Sequence, residues 1–391
     1  FSILYVCAPL IADFFNQPEL IPLTRVMGVI VIINAFAIIQ RTLLVKKIDF
    51  RTQTKVSLIA SISSGIVGIG MALSGLGVWS LVGQQITRQL LNTVFLWLFS
   101  RWRPVWQFSK TSFQSLFSFG WKLLVSGLID TIWRELYLFI IGKFYTAESL
   151  GQYTRAQQFN SIFSSNLTAV VQRVSYPVLS SIQDENDRLR EAYRKIIKTT
   201  MLASFTCMLG LAAIAKPMVL VLIGAKWLPS VAFLQIICFS GMLYPLQAIN
   251  LNMLQVKGRS DLFLKLEIIK KTIMIGPVAL GIFIGIKWML WGSVGTSFIS
   301  YYLNSYYSGA GMNYSTLEQV KDILPSFGVA SLTALIVFGL SFLSWSPYVV
   351  LSLQLVVGLV IFVVLCENFK LKEYYEVKTI VMNVVKVRKH G

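Results

Sequence analysis

Arg155 and Arg173 stand eighteen residues apart in a stretch, Gly151 to Leu179, that also carries Gln157, Gln158, Asn160, Asn166 and Gln172. Eighteen residues are five turns of α-helix, so the two guanidinium groups share one face, roughly 27 Å apart along the axis. Asn166, eleven residues after Arg155, falls within about 20° of the same line. Such a face is costly against lipid, whereas a water-filled path for a large, polar, anionic cargo would use it. The plainer alternative is that each arginine lies near a membrane surface and snorkels to headgroups.

A second cluster precedes this stretch. Asp130, Arg134 and Glu135 lie in VSGLIDTIWRELYLFIIGKF, with Asp130 and Arg134 one helical turn apart and able to pair. Charges well inside an apolar segment point to cargo or to a coupling cation, the alternative being a self-neutralised pair that holds two helices together. Other chemistry is poorly supplied. The single histidine, His390, sits in a basic tail, and Cys7, Cys207, Cys238 and Cys366 share no metal-ligand spacing. There is no His-dependent triad to assemble and no glycine-rich phosphate loop, so neither a hydrolase nor an ATP-driven pump is expected, and no cofactor.

The elements that must position these groups are membrane helices. The chain of 391 residues is 55% hydrophobic and 13% charged, with a mean hydropathy of +0.67, far from the average soluble domain. Apolar stretches near the length that crosses a bilayer recur throughout, and breakers divide them into twelve segments. These are about 1–15, 20–44, 52–74, 77–100, 113–141, 148–180, 190–223, 228–255, 261–286, 287–308, 322–344 and 347–368. The fold class expected is therefore an all-α polytopic membrane protein.

The net charge of +18 is distributed by topology. Alternate gaps hold Arg41, Lys46, Lys47, Arg51 and Lys55, then Arg101, Arg103 and Lys110, then Arg188, Arg190, Arg194, Lys195 and Lys198, then Lys257, Arg259, Lys265, Lys270 and Lys271. The intervening gaps hold little. This is the positive-inside pattern, which sets the C-terminus in the cytoplasm and makes membrane lipids, not nucleic acid, the partner of the basic groups.

An internal repeat gives the plan. An offset of 212 residues lays Gly77–Asn92 over Met289–Asn304, matching Trp79 to Trp291, Gly83 to Gly295 and Asn92 to Asn304, and it brings Asp49 onto Asp261. Both copies run the same way across the membrane, as in transporters with two pseudo-symmetric lobes and a site between them. The expected organisation is a remnant of a first lobe at 1–100, from the end of its third helix to its sixth. A cytoplasmic linker at 101–111 and a second six-helix lobe at 112–311 follow, then two trailing transmembrane helices at 312–369 and a basic cytoplasmic tail at 370–391. Symmetry and the non-methionine start at Phe1 lead to the expectation that N-terminal helices are missing.

The stretches APLIADFFNQPEL, INAFAIIQRTLLVKKIDFRTQTK, GVWSLV, LGQYTRAQQF, QRVSYPVLSSIQ and KWLPSVAFLQIICFSGMLYPLQAINLNMLQVKGRSDLFLKLEIIKK resemble the Wzx-type oligosaccharide flippases. These form the lipopolysaccharide biosynthesis protein branch of the multidrug/oligosaccharidyl-lipid/polysaccharide exporter superfamily. The resemblance covers essentially the whole chain. It implies two lobes forming a V that opens alternately to either side of the bacterial inner membrane. It also implies translocation of undecaprenyl-diphosphate-linked oligosaccharide to the periplasmic leaflet for O-antigen, capsule or exopolysaccharide synthesis. A glycan polymerase and a chain-length regulator are further partners on this view, and a proton or sodium gradient a candidate driving force.

Under that resemblance Arg155 and Arg173 become candidates for the diphosphate, because a planar guanidinium holds two oxygens at once. Gln157, Gln158, Asn166 and Gln172 are then available to sugar hydroxyls, and Tyr153 and Tyr176 to sugar rings. Arg88 could face the same cleft from the first lobe, or anchor at the cytoplasmic interface. An ion-coupled multidrug exporter of the same superfamily is the alternative, though it favours an acidic, aromatic pocket over arginines. An enzyme acting on the lipid carrier would need a large charged periplasmic loop, which the sequence lacks.

Overall fold

The computed structural model describes all residues except 47–48, 101–103, 105–107, 311, 313 and 380–391, and among the described residues regular structure is helical throughout. The chain divides into two compact units, Phe1–Asp130 and Thr131–Gly391. Among the described residues, six helical stretches are long and apolar enough to cross a membrane: Leu20–Leu44, Arg51–Leu73, Asn186–Leu222, Pro229–Val256, Thr316–Phe342 and Pro347–Asn368. This is a multi-pass membrane protein.

The first unit contains α1 (Ser2–Phe15), α2 (Leu20–Lys46), α3 (Phe50–Leu73) and α4 (Val78–Phe99), with α5 (Lys110–Arg134) running through the boundary. Asp49 starts α3 by accepting from the Thr52 backbone N–H at 3.0 Å and its hydroxyl at 2.8 Å, and these bonds hold its carboxyl below the usual range. Gly75 and Gly77, both at positive φ, make the turn into α4. The two helices then approach closely, because Gly68 lies against Gln84 and Gly83 against Met71 with no side chain between. Across the other side of α4, Thr93 donates to the Ile33 carbonyl at 3.2 Å and Trp97 to that of Phe36 at 2.9 Å, fixing α2. Helices α2, α3 and α4 bury Ala37, Leu44, Val56 and Leu96 together. Every described side chain of α5 from Lys110 to Ile132 is exposed.

The second unit holds α6 (Leu136–Phe144), α7 (Ala147–Ser181), α8 (Asn186–Leu222), α9 (Pro229–Gly241), α10 (Tyr244–Val256), α11 (Ser260–Ile273), α12 (Ile275–Phe283), α13 (Ile286–Gly309), α14 (Thr316–Gly339) and α15 (Pro347–Asn368). Three segments expected to be continuous are broken. The helices α9 and α11 end at Gly241 and Ile273, four residues before Pro245 and Pro277, where a proline ring meets the carbonyl and offers no N–H in return. The third break, at Glu135, has its backbone at φ −91° and ψ 4° and no proline behind it. Helices α2, α3 and α4 begin at residues 20, 50 and 78, and α9, α11 and α13 at 229, 260 and 286.

Helix α8 is the centre of the second unit, burying Tyr193, Ile197, Met201, Phe205 and Met208 along one face. Helix α14 lies along it and is started by a capping box between Ser315 and Glu318. Their cytoplasm-type charges, expected in a gap, are inside the helices and paired. Arg190 meets Glu318 at 3.3 Å and Arg194 meets Asp322. Lys370, at φ 49°, turns the chain back into a helix over 372–379. Its Glu373 and Glu376 reach Lys198 at 2.5 Å and Lys195 at 2.9 Å. The start of the expected basic tail is thus a docked helix, while His390 and the other basic residues after 379 lie outside the described residues, as do Trp102 and Trp106.

Candidate functional site

Helix α7 has two opposed faces. Gln152, Ala156, Asn160, Ser164, Thr168, Ser175 and Leu179 are buried in a row at spacings of four, with one step of seven. Small side chains allow close packing there, and their polar atoms hydrogen-bond locally or to neighbours. Ser175 accepts from Asn252 of α10 at 3.2 Å, and Asn160 fits against Gly241 of α9. Arg155, Asn166 and Arg173 point the opposite way and are exposed, as are Gln157, Gln158 and Gln172. The polarity of α7 therefore has two sources, and the sequence alone merged them. Asn160 and Tyr153 belong to the packed face, Tyr153 being 6% exposed, which removes it from any role against a sugar. Tyr176 is exposed.

Arg155 is held in a defined position. Its guanidinium donates to Gln158 Oε1 at 2.8 Å and lies 5.0 Å from the ring centroid of Trp227. Trp227 closes a single helical turn before α9, and buried Gln152 fastens that turn. The Gln152 amide donates to the Lys226 carbonyl at 3.0 Å and accepts from the Ser230 N–H at 3.1 Å. Two of the predicted residues, Arg155 and Gln158, are thus brought together, and Trp227 is the platform beneath them. Asn166 donates to the Ile162 carbonyl at 2.6 Å and keeps its oxygen open. Arg173, Gln157 and Gln172 have no side-chain partner among the described residues. Among the described residues no carboxylate pairs with Arg155 or Arg173, so both charges remain available to an anion.

The charge cluster before α7 is described in part. Arg134 forms an ion pair with Glu135 at 3.4 Å and donates to Thr131 Oγ1 at 3.4 Å. The Asp130 side chain lies outside the described residues.

Arg88 opens on a cavity that the sequence did not reveal as one site. Helices α2, α3 and α4 border an open cavity of about 570 Å³ lined by Arg41, Gln53, Gln85, Arg88, Gln89 and Asn92, with Asn34, Thr54 and Ser57 beside them. None of the arginine or carboxamide side chains in it has a hydrogen-bond or ion-pair partner among the described residues. The spacing of Gln85, Arg88, Gln89 and Asn92, one polar face on an apolar helix, was the available signal. Arg41 carried none, since it reads as one of a run of topology charges.

Residues 1–232 match the model of a family described as polysaccharide biosynthesis protein, and the chain belongs to that family. It is 29% identical over 265 residues to the teichuronic acid biosynthesis protein TuaB of Bacillus subtilis (strain 168), covering 67% of this chain and 55% of that protein. The succinoglycan biosynthesis transport protein ExoT of Rhizobium meliloti (strain 1021) is 26% identical, over 74% of this chain and 59% of its own length. The lipopolysaccharide biosynthesis protein WzxC of Escherichia coli (strain K12) is 24% identical, over 71% of this chain and 57% of its own length. The chain thus spans between 55% and 59% of the length of these three relatives. The fold is that of the lipid II flippase MurJ in its inward closed conformation, with a TM-score of 0.71, 14% identity and coverage of 94% of this chain and 79% of that one.

Proposed function

We propose that this protein flips undecaprenyl-diphosphate-linked oligosaccharide from the cytoplasmic to the periplasmic leaflet of a bacterial inner membrane, supplying surface polysaccharide synthesis. The observation that carries the reading is the exposed face of α7, where Arg155 and Arg173 stand without carboxylate partners among the described residues. Roughly 27 Å of helix separates them, so an elongated head bearing two phosphates and several sugars could be handed from one to the other. The carboxamide of Asn166, on the same face, offers a donor and an acceptor along the way. Membership of the polysaccharide biosynthesis family and the flippase fold support the same reading.

The work required is movement, not bond making, so the protein acts as a transporter and not as an enzyme. The lipid tail stays in the bilayer while arginines and amides replace water around the head. In this reading 1–100 belongs to a first lobe, 112–311 is the second, and the basic C-terminal tail is cytoplasmic, beside a polymerase and a chain-length regulator. The test is reconstitution of the intact protein in vesicles carrying lipid-linked oligosaccharide in one leaflet. Its appearance in the other leaflet is read with a membrane-impermeant glycosidase, with and without proton and sodium gradients. Transfer no faster than in protein-free vesicles, under every gradient, overturns the reading.

A further inference from the structure

Inside the second unit α13 packs against α10 and α14, and this seam carries more polar side chains than it pairs. Tyr301, Asn304 and Ser308 follow one another at spacings of three and four, so they share one face of α13. Asn304 is fully buried, and neither its amide nitrogen nor its oxygen has a hydrogen-bond partner among the described residues. The hydroxyl of Tyr301, also buried, is unpaired in the same sense. Across the seam, buried Gln319 of α14 accepts from Asn250 of α10 at 3.4 Å and leaves its own amide nitrogen without an acceptor.

These groups form one cluster. Tyr193 of α8 donates to Asn250 Oδ1 at 2.5 Å and lies 3.0 Å from the Ser308 hydroxyl, one turn along α13 from Asn304. The Ser305 and Thr316 hydroxyls, 2.9 Å apart, fix α13 against α14. Counted from that contact at about 1.5 Å per residue, Tyr301, Asn304 and Gln319 all lie within about 6 Å of it along the helix axes.

A carboxamide buried without hydrogen bonds is costly, and such groups persist where a small polar ligand completes them. The free atoms specify that ligand. Two amide nitrogens can only donate, one amide oxygen can only accept, and the Tyr301 hydroxyl can do either. A cation takes acceptors alone and would face both nitrogens, and an anion takes donors alone and would face the Asn304 oxygen. The carboxylates that flank Gln319, Glu318 and Asp322, are already taken by Arg190 and Arg194. Water donates and accepts at once, which matches the set.

We infer that Tyr301, Asn304 and Gln319 hold internal water where α13 meets α10 and α14. The site is neutral, and it stands whether or not the protein moves a lipid-linked glycan. It makes this seam unlike that of α8 with α14. There, charged side chains hold one another directly; here, polar side chains are joined through a ligand that can exchange partners.

Radiolytic labelling of the purified intact protein, in water enriched in the heavy oxygen isotope, tests this. Hydroxyl radicals made from bound water mark the side chain beside it. With each rate divided by that in the unfolded chain, Tyr301 should be labelled several times faster than Phe205, which is buried in apolar contact with Phe327. Asn304→Leu keeps the branched shape and removes both polar atoms, so it should bring the Tyr301 rate down to that of Phe205. It should also lower the thermal unfolding midpoint by about 2–4 °C, because hydrogen bonds to water are lost.

Equal labelling of Tyr301 and Phe205 in the wild type overturns the inference, and that comparison does not depend on any variant folding. A midpoint for Asn304→Leu at or above the wild type overturns it too, since a dry, unpaired carboxamide is better replaced by an apolar group. The midpoint should also be the same in sodium chloride and in choline chloride of equal ionic strength. A rise specific to sodium that Asn304→Leu removes assigns the seam to a cation and overturns the assignment to water. Glycan transport enters none of these measurements, so failure of the vesicle assay leaves them unaffected.

Discussion

Arg194 on α8 holds both carboxylate oxygens of Asp322 on α14. Its Nη2 donates to Oδ1 at 2.6 Å, its Nε to Oδ2, and the Tyr314 hydroxyl adds a third donor to Oδ2 at 2.9 Å. The Asp322 side chain is 9% exposed and that of Arg194 50%. Geometry of this kind makes an ion pair worth more than a surface pair, because the carboxylate is fully hydrogen-bonded and only one partner is desolvated. One turn away Arg190 and Glu318 repeat the contact, and one turn beyond, Lys198 takes Glu373 of the returning chain. The trailing helices are thus fastened to the second unit through one face of α8.

Asp322→Ala should therefore destabilise the protein by about 2–3 kcal/mol, since it strands the Arg194 charge and the Tyr314 hydroxyl together. Thermal unfolding in detergent measures this. Asp322→Asn, which keeps one acceptor, should fall between that variant and the wild type. Equal stability of all three would show that packing alone holds α14 on α8.

Gln152 provides a second structural test with a functional consequence. It makes two hydrogen bonds, to the Lys226 carbonyl and from the Ser230 N–H, that place Trp227 under Arg155. Gln152→Ala should cost about 1–2 kcal/mol in stability, interhelical hydrogen bonds in membrane proteins being modest. It should also reduce glycan export more than its stability loss explains, because Arg155 loses its platform. Trp227→Phe, which retains a ring, should restore less than the wild type and more than Trp227→Ala when export is compared at equal expression.

The exposed arginines themselves make the sharper functional prediction. Arg155→Ala and Arg173→Ala in the intact protein should each reduce glycan export severalfold while leaving membrane insertion unchanged, and the double variant should reduce it at least about tenfold. Arg155→Lys should recover only part of the activity, since a point charge cannot hold two oxygens in a fork or lie flat on Trp227. Export at wild-type levels in both single variants and the double would remove the diphosphate site from α7.

Much of this was legible in the residues. The helical class follows from apolar length and charge alternation, and the family from the stretches that resemble it, such as Leu150–Phe159 and Gln172–Gln183. The α7 face was legible because 155, 166 and 173 coincide on a helix, whereas the packed polar face opposite was not. Asn160, Ser164 and Thr168 read as polar in either setting, and only burial shows that they pack against α9 and α10. The cavity of Arg41 and Arg88 needed three helices to be assembled before its members met. The Arg194–Asp322 pair was missed for a related reason: partners 128 positions apart leave no mark in local periodicity.

The opposition of the two α7 faces can be tested without reference to transport. In a variant whose four native cysteines are replaced by alanine or serine, a single cysteine at Asn166 should react quickly with a water-soluble thiol reagent from at least one side of the membrane. A cysteine at Thr168 should be slower by about two orders of magnitude, because that position is 5% exposed and packed, and reactivity requires a hydrated thiolate. Cysteine at Val170, exposed and about 60° around the helix from Arg155, marks the edge of the polar face. Reaction at 166 with protection at 170 describes a narrow wet stripe bordered by lipid or protein. Reaction at both describes a broad aqueous surface, and protection at all three would show that Arg155 and Arg173 lie against lipid, which returns them to the role of headgroup anchors.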